Sequence, residues 1–304
     1  MSELLSAEKK PLLQSLIIMG YVLATLFIAQ FLALLLLVPV TGMDVAELLT
    51  AMGQINQYPE LKWPIVLFHF LTGSSGFIAA PLLYIYYYEK RPMLDDFRLS
   101  ELDTRGVLLV IVTMLSFIVA DSIVIEWNAD LVFPEPFQSW AKDKEEAALR
   151  MTEFLTEMDT VSYFIVIFLV VAVLPAVGEE LLFRGLIQKY LIRGFKNPHV
   201  AIWVTAMLFS AFHFQFFGFV PRMLLGALFG YFYYYSGNLL YSILAHFVNN
   251  GLTVVMLYFY QNGWVDFDIE NTESIPLESV GIFAIIGIGL FVLFTKQFKG
   301  QQKI

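Results

Sequence analysis

The sequence predicts an all-α, polytopic membrane bundle of about eight transmembrane helices with both termini in the cytoplasm. Three observations predict it. The 304 residues are 58% hydrophobic and only 15% charged, against roughly 45–50% apolar and about 25% charged in soluble domains. The apolar residues gather in runs of about 18 or more with few charges, enough to cross a bilayer core as helix. The basic residues crowd the connections on one side of those runs, as the positive-inside rule demands.

The runs are read at 13–38, 63–88, 106–125, 161–181, 199–220, 221–236, 239–260 and 279–295. The first is too long for the core of a signal peptide and no small-residue cleavage site follows it, so it is expected to stay in the protein. The second opens on Trp63 and closes on Tyr86, Tyr87 and Tyr88, the third follows Arg105, and the fifth carries Trp203. Aromatics at run ends suit the membrane interface. The sixth is the shortest and rests on Leu224 to Tyr235.

Between the third and fourth runs, residues 127–160 set Glu145, Glu146, Glu153 and Glu157 among Leu149, Met151, Phe154 and Leu155. That pattern predicts a helix, expected as a solvated acidic one, with an amphipathic helix on the membrane surface as the alternative. Residues 261–278 are acidic and expected to be irregular. No internal repeat or soluble segment breaks the chain, so residues 1–304 are read as a single integral membrane domain, expected in the cell membrane.

Charge placement fixes the orientation. With the amino terminus inside, Lys9, Lys10, Lys90, Arg91, Arg98, Arg105, Arg184, Lys189, Arg193, Lys196, Lys296, Lys299 and Lys303 fall on the cytoplasmic side. Only Lys62, Lys142, Lys144, Arg150 and Arg222 fall on the other. The net charge of −9, with no basic stripe, excludes a nucleic-acid binder. With no cysteine there is no thiolate nucleophile, thiolate metal site or disulfide.

Ionisable groups inside spans cost at least about 2.5–3.5 kcal/mol each at the helix centre and persist where they face a bundle interior or a watery cavity. Here they concentrate late in the chain. Glu179, Glu180 and Arg184 close the fourth run, His213 lies within the fifth, and His246, Asn249 and Asn250 lie within the seventh. The first three runs carry chiefly His69, read as structural, and Asp121. His199 beside Pro198 reads as an exposed helix start.

Residues four apart share a helix face. Glu180 and Arg184 can therefore pair, His246 and Asn250 point the same way, and Glu179 turns about 100° from Glu180. Phe209 and His213 also share a face. Where three such helices converge, one low-dielectric pocket would hold a carboxylate, two imidazoles, an amide and a guanidinium. Such a pocket suits hydrolysis by water. A buried carboxylate can serve as general base with His213, while His246 and the Asn250 amide can donate to an oxyanion. Arg184 can steady Glu180 or meet a substrate carboxylate.

The motifs Glu179-Glu180-x-x-x-Arg184, Phe209-x-x-x-His213 and His246-x-x-x-Asn250, in that order over residues 160–255, resemble those of the CPBP intramembrane proteases. That family includes type II CAAX prenyl endopeptidases and bacteriocin-processing or immunity proteins. The resemblance implies an endopeptidase in which Glu179 and His213 activate water, His246 and Asn250 stabilise the oxyanion, and Glu180 and Arg184 support the site. It implies a peptide or membrane-protein substrate, prenylated CAAX proteins among the candidates.

The cofactor stays open. Zn²⁺ with Glu179, His213 and His246 as ligands is one reading, although no HExxH helix is present and the water mechanism needs no metal. Three rivals remain. Gly73-Ser74-Ser75-Gly76 fits a rhomboid-type serine loop with Ser75 as nucleophile and His246 as base, though helix packing explains it more simply. A transporter or proton pathway would also use buried polar groups, but no inverted repeat is apparent. A non-catalytic scaffold or immunity factor would keep the fold alone. Gly226-x-x-x-Gly230 is read as packing.

Overall fold

The computed structural model describes residues 10–266 and 275–299. Lys9, Lys303 and much of the acidic 261–278 connection lie outside the described residues. Within them the secondary structure is helical throughout.

The helices are α1 (Pro11–Thr41), α2 (Val45–Gly53), α3 (Pro59–Glu89), α4 (Thr104–Ala129), α5 (Phe137–Thr156), α6 (Val161–Phe195), α7 (Pro198–Ala211), α8 (Phe219–Ser236), α9 (Leu239–Gln261) and α10 (Leu277–Gln297). Local chemistry sets many ends. Asp44 and Glu47 close a capping box at the start of α2. The Asp103, Thr160, Asn197 and Asn238 side chains accept first-turn N–H groups of α4, α6, α7 and α9. Gly42 and Gly237 end α1 and α8 at φ +75° and +64°.

Seven helices are long and apolar enough to cross a membrane, one fewer than expected. The difference lies in the fifth and sixth runs. Helix α7 has only 14 residues, about 21 Å of rise against a core of about 30 Å. The chain turns at residues 212–215, not near 220, with Phe214 at φ +54°, and α8 then gains the length its predecessor lacks. The fourth run is also longer than expected: α6 runs on to Phe195 for 35 residues. Glu179, Glu180 and Arg184 therefore stand mid-helix, and Arg184 is fully buried, not one of the cytoplasmic surface cations.

Phe27, Ile285 and Ile288 are exposed on the outer face of the bundle. A row of such side chains would be costly in water and is at home against lipid. The protein is an integral membrane protein. Helix α5, expected as a solvated acidic helix, keeps Glu146 and Glu153 outward but lays Ala141, Phe154 and Leu155 against the bundle and turns Glu145 inward to accept from Gln215.

Contacts between connections define two ends. At one, Leu12 packs on Gly194, Lys189 pairs with Asp96, Asn238 donates to the Arg98 carbonyl at 2.9 Å, and Gln297 donates to Asp103. At the other, Lys62 pairs with Glu157 at 3.5 Å and Gln261 accepts from the Met158 N–H at 3.0 Å. The short α7 and α8 form a hairpin entering from the first end, so both described chain ends lie together.

Candidate active site

Helix α6 positions the acidic pair between two π-helical segments, 168–173 and 183–188. Such insertions rotate the residues that follow and recur at functional sites. The two neighbouring glutamates meet different surroundings. Glu180 is fully buried. Its Oε1 accepts from Arg184 Nη1 at 2.6 Å and from His246 Nδ1 at 2.9 Å, and its Oε2 accepts from the Ser242 hydroxyl. The 100° offset turns Glu179 toward open space, where Oε2 is buried without a partner.

That space is a cavity of about 450 Å³, lined among others by Glu179, Phe209, His213, His246 and Asn250. Two helices, α6 and α9, and the turn after α7 thus bring to one cavity the four residues singled out as catalytic. His213 is carried by the break after α7 and not, as expected, from within a helix. Its Nδ1 lies 2.9 Å from the Phe209 carbonyl. A carbonyl only accepts, so Nδ1 carries the proton and Nε2 the lone pair in the neutral ring.

His246 stacks on Phe229 with ring centroids 5.0 Å apart and lies edge-on to Phe209 at 5.8 Å. Its Nδ1–H points to Glu180, so Nε2 can donate only when the ring is the imidazolium. Asn250 Nδ2 donates to the Val171 carbonyl at 3.3 Å, and Asn249 Nδ2 donates to Asn250 Oδ1 at 3.1 Å. Together they fix the Asn250 amide and leave one of its hydrogens free.

Arg184 has no route to a substrate. Its guanidinium bonds Glu180 and the Gly226 carbonyl (2.7 Å) and lies 4.7 Å over the Phe209 ring. Four residues on, Gln188 donates to the Gly230 carbonyl at 3.0 Å. The Gly226 and Gly230 pair therefore gives α6 two bare carbonyls as well as close packing. A second cavity, about 650 Å³, shares Glu179, Val171 and Pro175 with the first and is otherwise mostly apolar, with His69 and Gln30 at its wall.

The Zn²⁺ reading does not fit: no three His, Cys, Asp or Glu side chains among the described residues gather to hold a metal. The serine loop fares no better. Ser74 and Ser75 line neither cavity, and a Cβ at Gly76 would strike Leu26 at 2.1 Å, so the small residues admit α1. Ser242, Arg222 and Asp121, all at the site, were not expected there. Ser242 lies four before His246 on one face, a spacing that could have revealed it.

Residues 161–252 match the family model described as Type II CAAX prenyl endopeptidase Rce1-like. This segment is of the CPBP and CAAX protease family. The match runs from the start of α6 into α9 and so includes every motif residue. The Bacillus subtilis (strain 168) protein YpbD, itself uncharacterized, is 29% identical over 113 residues. These are 35% of this chain and 55% of that relative, so the chain spans about half the length of the curated relative it matches. No solved structure matches significantly.

Proposed function

We propose that this chain is an intramembrane endopeptidase, one membrane domain over residues 1–304 whose chemistry resides in 160–255. The observation that carries the reading is the unpartnered Glu179 carboxylate on the same cavity as His213, His246 and Asn250. Water held between Glu179 and the His213 Nε2 lone pair attacks the scissile carbonyl, and Glu179 takes its proton. The new C–O bond forms as the carbonyl becomes an oxyanion, which the His246 imidazolium and the Asn250 amide receive. Glu180 balances the imidazolium charge. Collapse breaks the C–N bond, and the proton held by Glu179 passes to the leaving amine.

The apolar second cavity, meeting the first at Glu179, favours a substrate that brings an apolar or lipid chain beside the scissile bond, a prenylated peptide included. The basic end of the bundle faces the cytoplasm, in the cell membrane.

The test is proteoliposomes holding wild-type, Glu179→Gln or His213→Ala protein, given quenched fluorescent peptides with and without a farnesyl group. Each variant is expected to lose about 10²- to 10⁴-fold in rate. Unchanged proteolysis in both variants rejects the mechanism; an ion flux lost in both, without proteolysis in wild type, replaces it with the transporter.

A further inference from the structure

Asp121 belongs to α4, outside the 161–252 segment, yet it lines the same cavity as Glu179, His213, His246 and Asn250. Its residue is only 4% exposed, and Oδ1 is buried with no hydrogen-bond partner. No salt bridge reaches it among the described residues. A carboxyl group at membrane depth is costly and contributes nothing to packing that an apolar residue would not.

The guanidinium on the cavity wall does not answer it. Arg222 gives Nη1 to the Gln215 carbonyl (3.3 Å) and Nη2 to Gln215 Oε1 (3.0 Å). Gln215 in turn donates to Glu145 on α5 at 3.3 Å. Arg222 is thereby a clamp on the turn that carries His213. His246 is committed to Glu180, and Arg184 lies behind it. What the cavity offers an occupant is carboxyl oxygen from two walls, Glu179 and Asp121.

Glu179 is assigned to the water. We infer that Asp121 is a specificity-determining residue that receives a cationic side chain, lysine or arginine, next to the scissile bond. This rests on the protease reading above. A peptide carbonyl seated between Glu179 and Asn250 leaves the α4 wall of the cavity for a flanking side chain. There a basic group would pair with a carboxylate in a low-dielectric setting, where the attraction is strong. An acidic group would meet repulsion, and a neutral one would leave a buried carboxyl unanswered. Both contrasts favour the basic substrate.

The experiment uses full-length protein in proteoliposomes and a peptide library carrying lysine, norleucine or glutamate at each position in turn. Products are read by mass spectrometry. Wild type is expected to favour lysine at one position within a few residues of the cut. Asp121→Asn, nearly isosteric, should lower the lysine-to-norleucine cleavage ratio there at least tenfold, and Asp121→Lys should turn the preference toward glutamate. Size-exclusion profiles in detergent identify any misfolded variant, and Asp121→Asn alone then decides.

An unchanged ratio in Asp121→Asn overturns the assignment. So does an equal loss on all three peptide sets, which would make Asp121 a general part of the machinery. Wild-type cleavage abolished by Glu179→Gln but lacking any basic preference sinks the Asp121 assignment alone. Cleavage that survives Glu179→Gln, or none in wild type, sinks the protease reading and this one with it.

Discussion

At Glu180 one carboxylate answers three donors, Arg184, His246 and Ser242, with no exposure to solvent. Its neighbour Glu179 has an oxygen with no partner at all. Adjacent identical residues are thereby divided, one toward structure and one toward chemistry. Part of that division is legible in the sequence, because the spacing of Glu180 to Arg184 is a helix-face relation. The bonds to Ser242 and His246 are not, since they join residues 62 and 66 positions apart through helix packing that local periodicity does not encode. The two glutamines should therefore behave differently. Glu180→Gln leaves the buried Arg184 cation without its counter-charge, a loss of about 3–5 kcal/mol. Glu179→Gln breaks no bond made by Oε2 and should leave the thermal unfolding midpoint in detergent within a degree or two of wild type by order of magnitude, while losing activity. A Glu180→Gln midpoint equal to wild type would show that the buried pair carries no stability.

Helix contacts explain why these side chains hold their places. A Cβ on Gly178 would lie 2.8 Å from the Phe77 Cβ and 3.2 Å from the Phe77 carbonyl carbon. Helices α6 and α3 are therefore in near-backbone contact one residue before Glu179. Gly178→Ala should cost about 1–3 kcal/mol by overpacking and displace Glu179, with proteolysis falling in step. Gly20→Ala is the control, since nothing lies within 4 Å of its Cβ and the gain in helix propensity is up to about 1 kcal/mol. Thermal melts of the two variants should move in opposite directions; a neutral Gly178→Ala would mean that α3 yields freely. At this scale hydropathy reads the long spans well, because lipid exposure demands continuous apolar sequence. It misses the end of α7. The turn is made by Phe212, His213, Phe214 and Gln215, which hold no glycine or proline to mark it, and there Phe214 takes a positive φ. It also misses α2, although Asp44-x-x-Glu47 is a capping box readable in the sequence.

For the whole molecule, the even number of passes follows from packing, not from the count of long helices. Seven full spans alone would put the two chain ends on opposite sides. Helix α7, short as it is, adds the eighth, partial pass and brings the chain back to its starting side, so Lys10, Lys196 and Lys299 share one end while Lys142 and Lys144 on α5 occupy the other. Lys90, Arg91, Arg98, Arg105, Lys189, Arg193 and Lys296 join the first end. Moving Arg184 and Arg222 from the loops into the bundle therefore leaves the positive-inside asymmetry strong. The absence of cysteine from the sequence makes the orientation directly measurable. In intact cells carrying single-cysteine forms, a membrane-impermeant maleimide should label Lys142→Cys. Lys10→Cys, Lys196→Cys and Lys299→Cys should react only after the membrane is permeabilised. Labelling of Lys10→Cys before lysis with Lys142→Cys protected would invert the orientation, and opposite behaviour of Lys10→Cys and Lys299→Cys would remove α7 from the pass count. The second result would also cost the site its His213, because the same turn that restores the chain to its first side delivers that ring to the cavity.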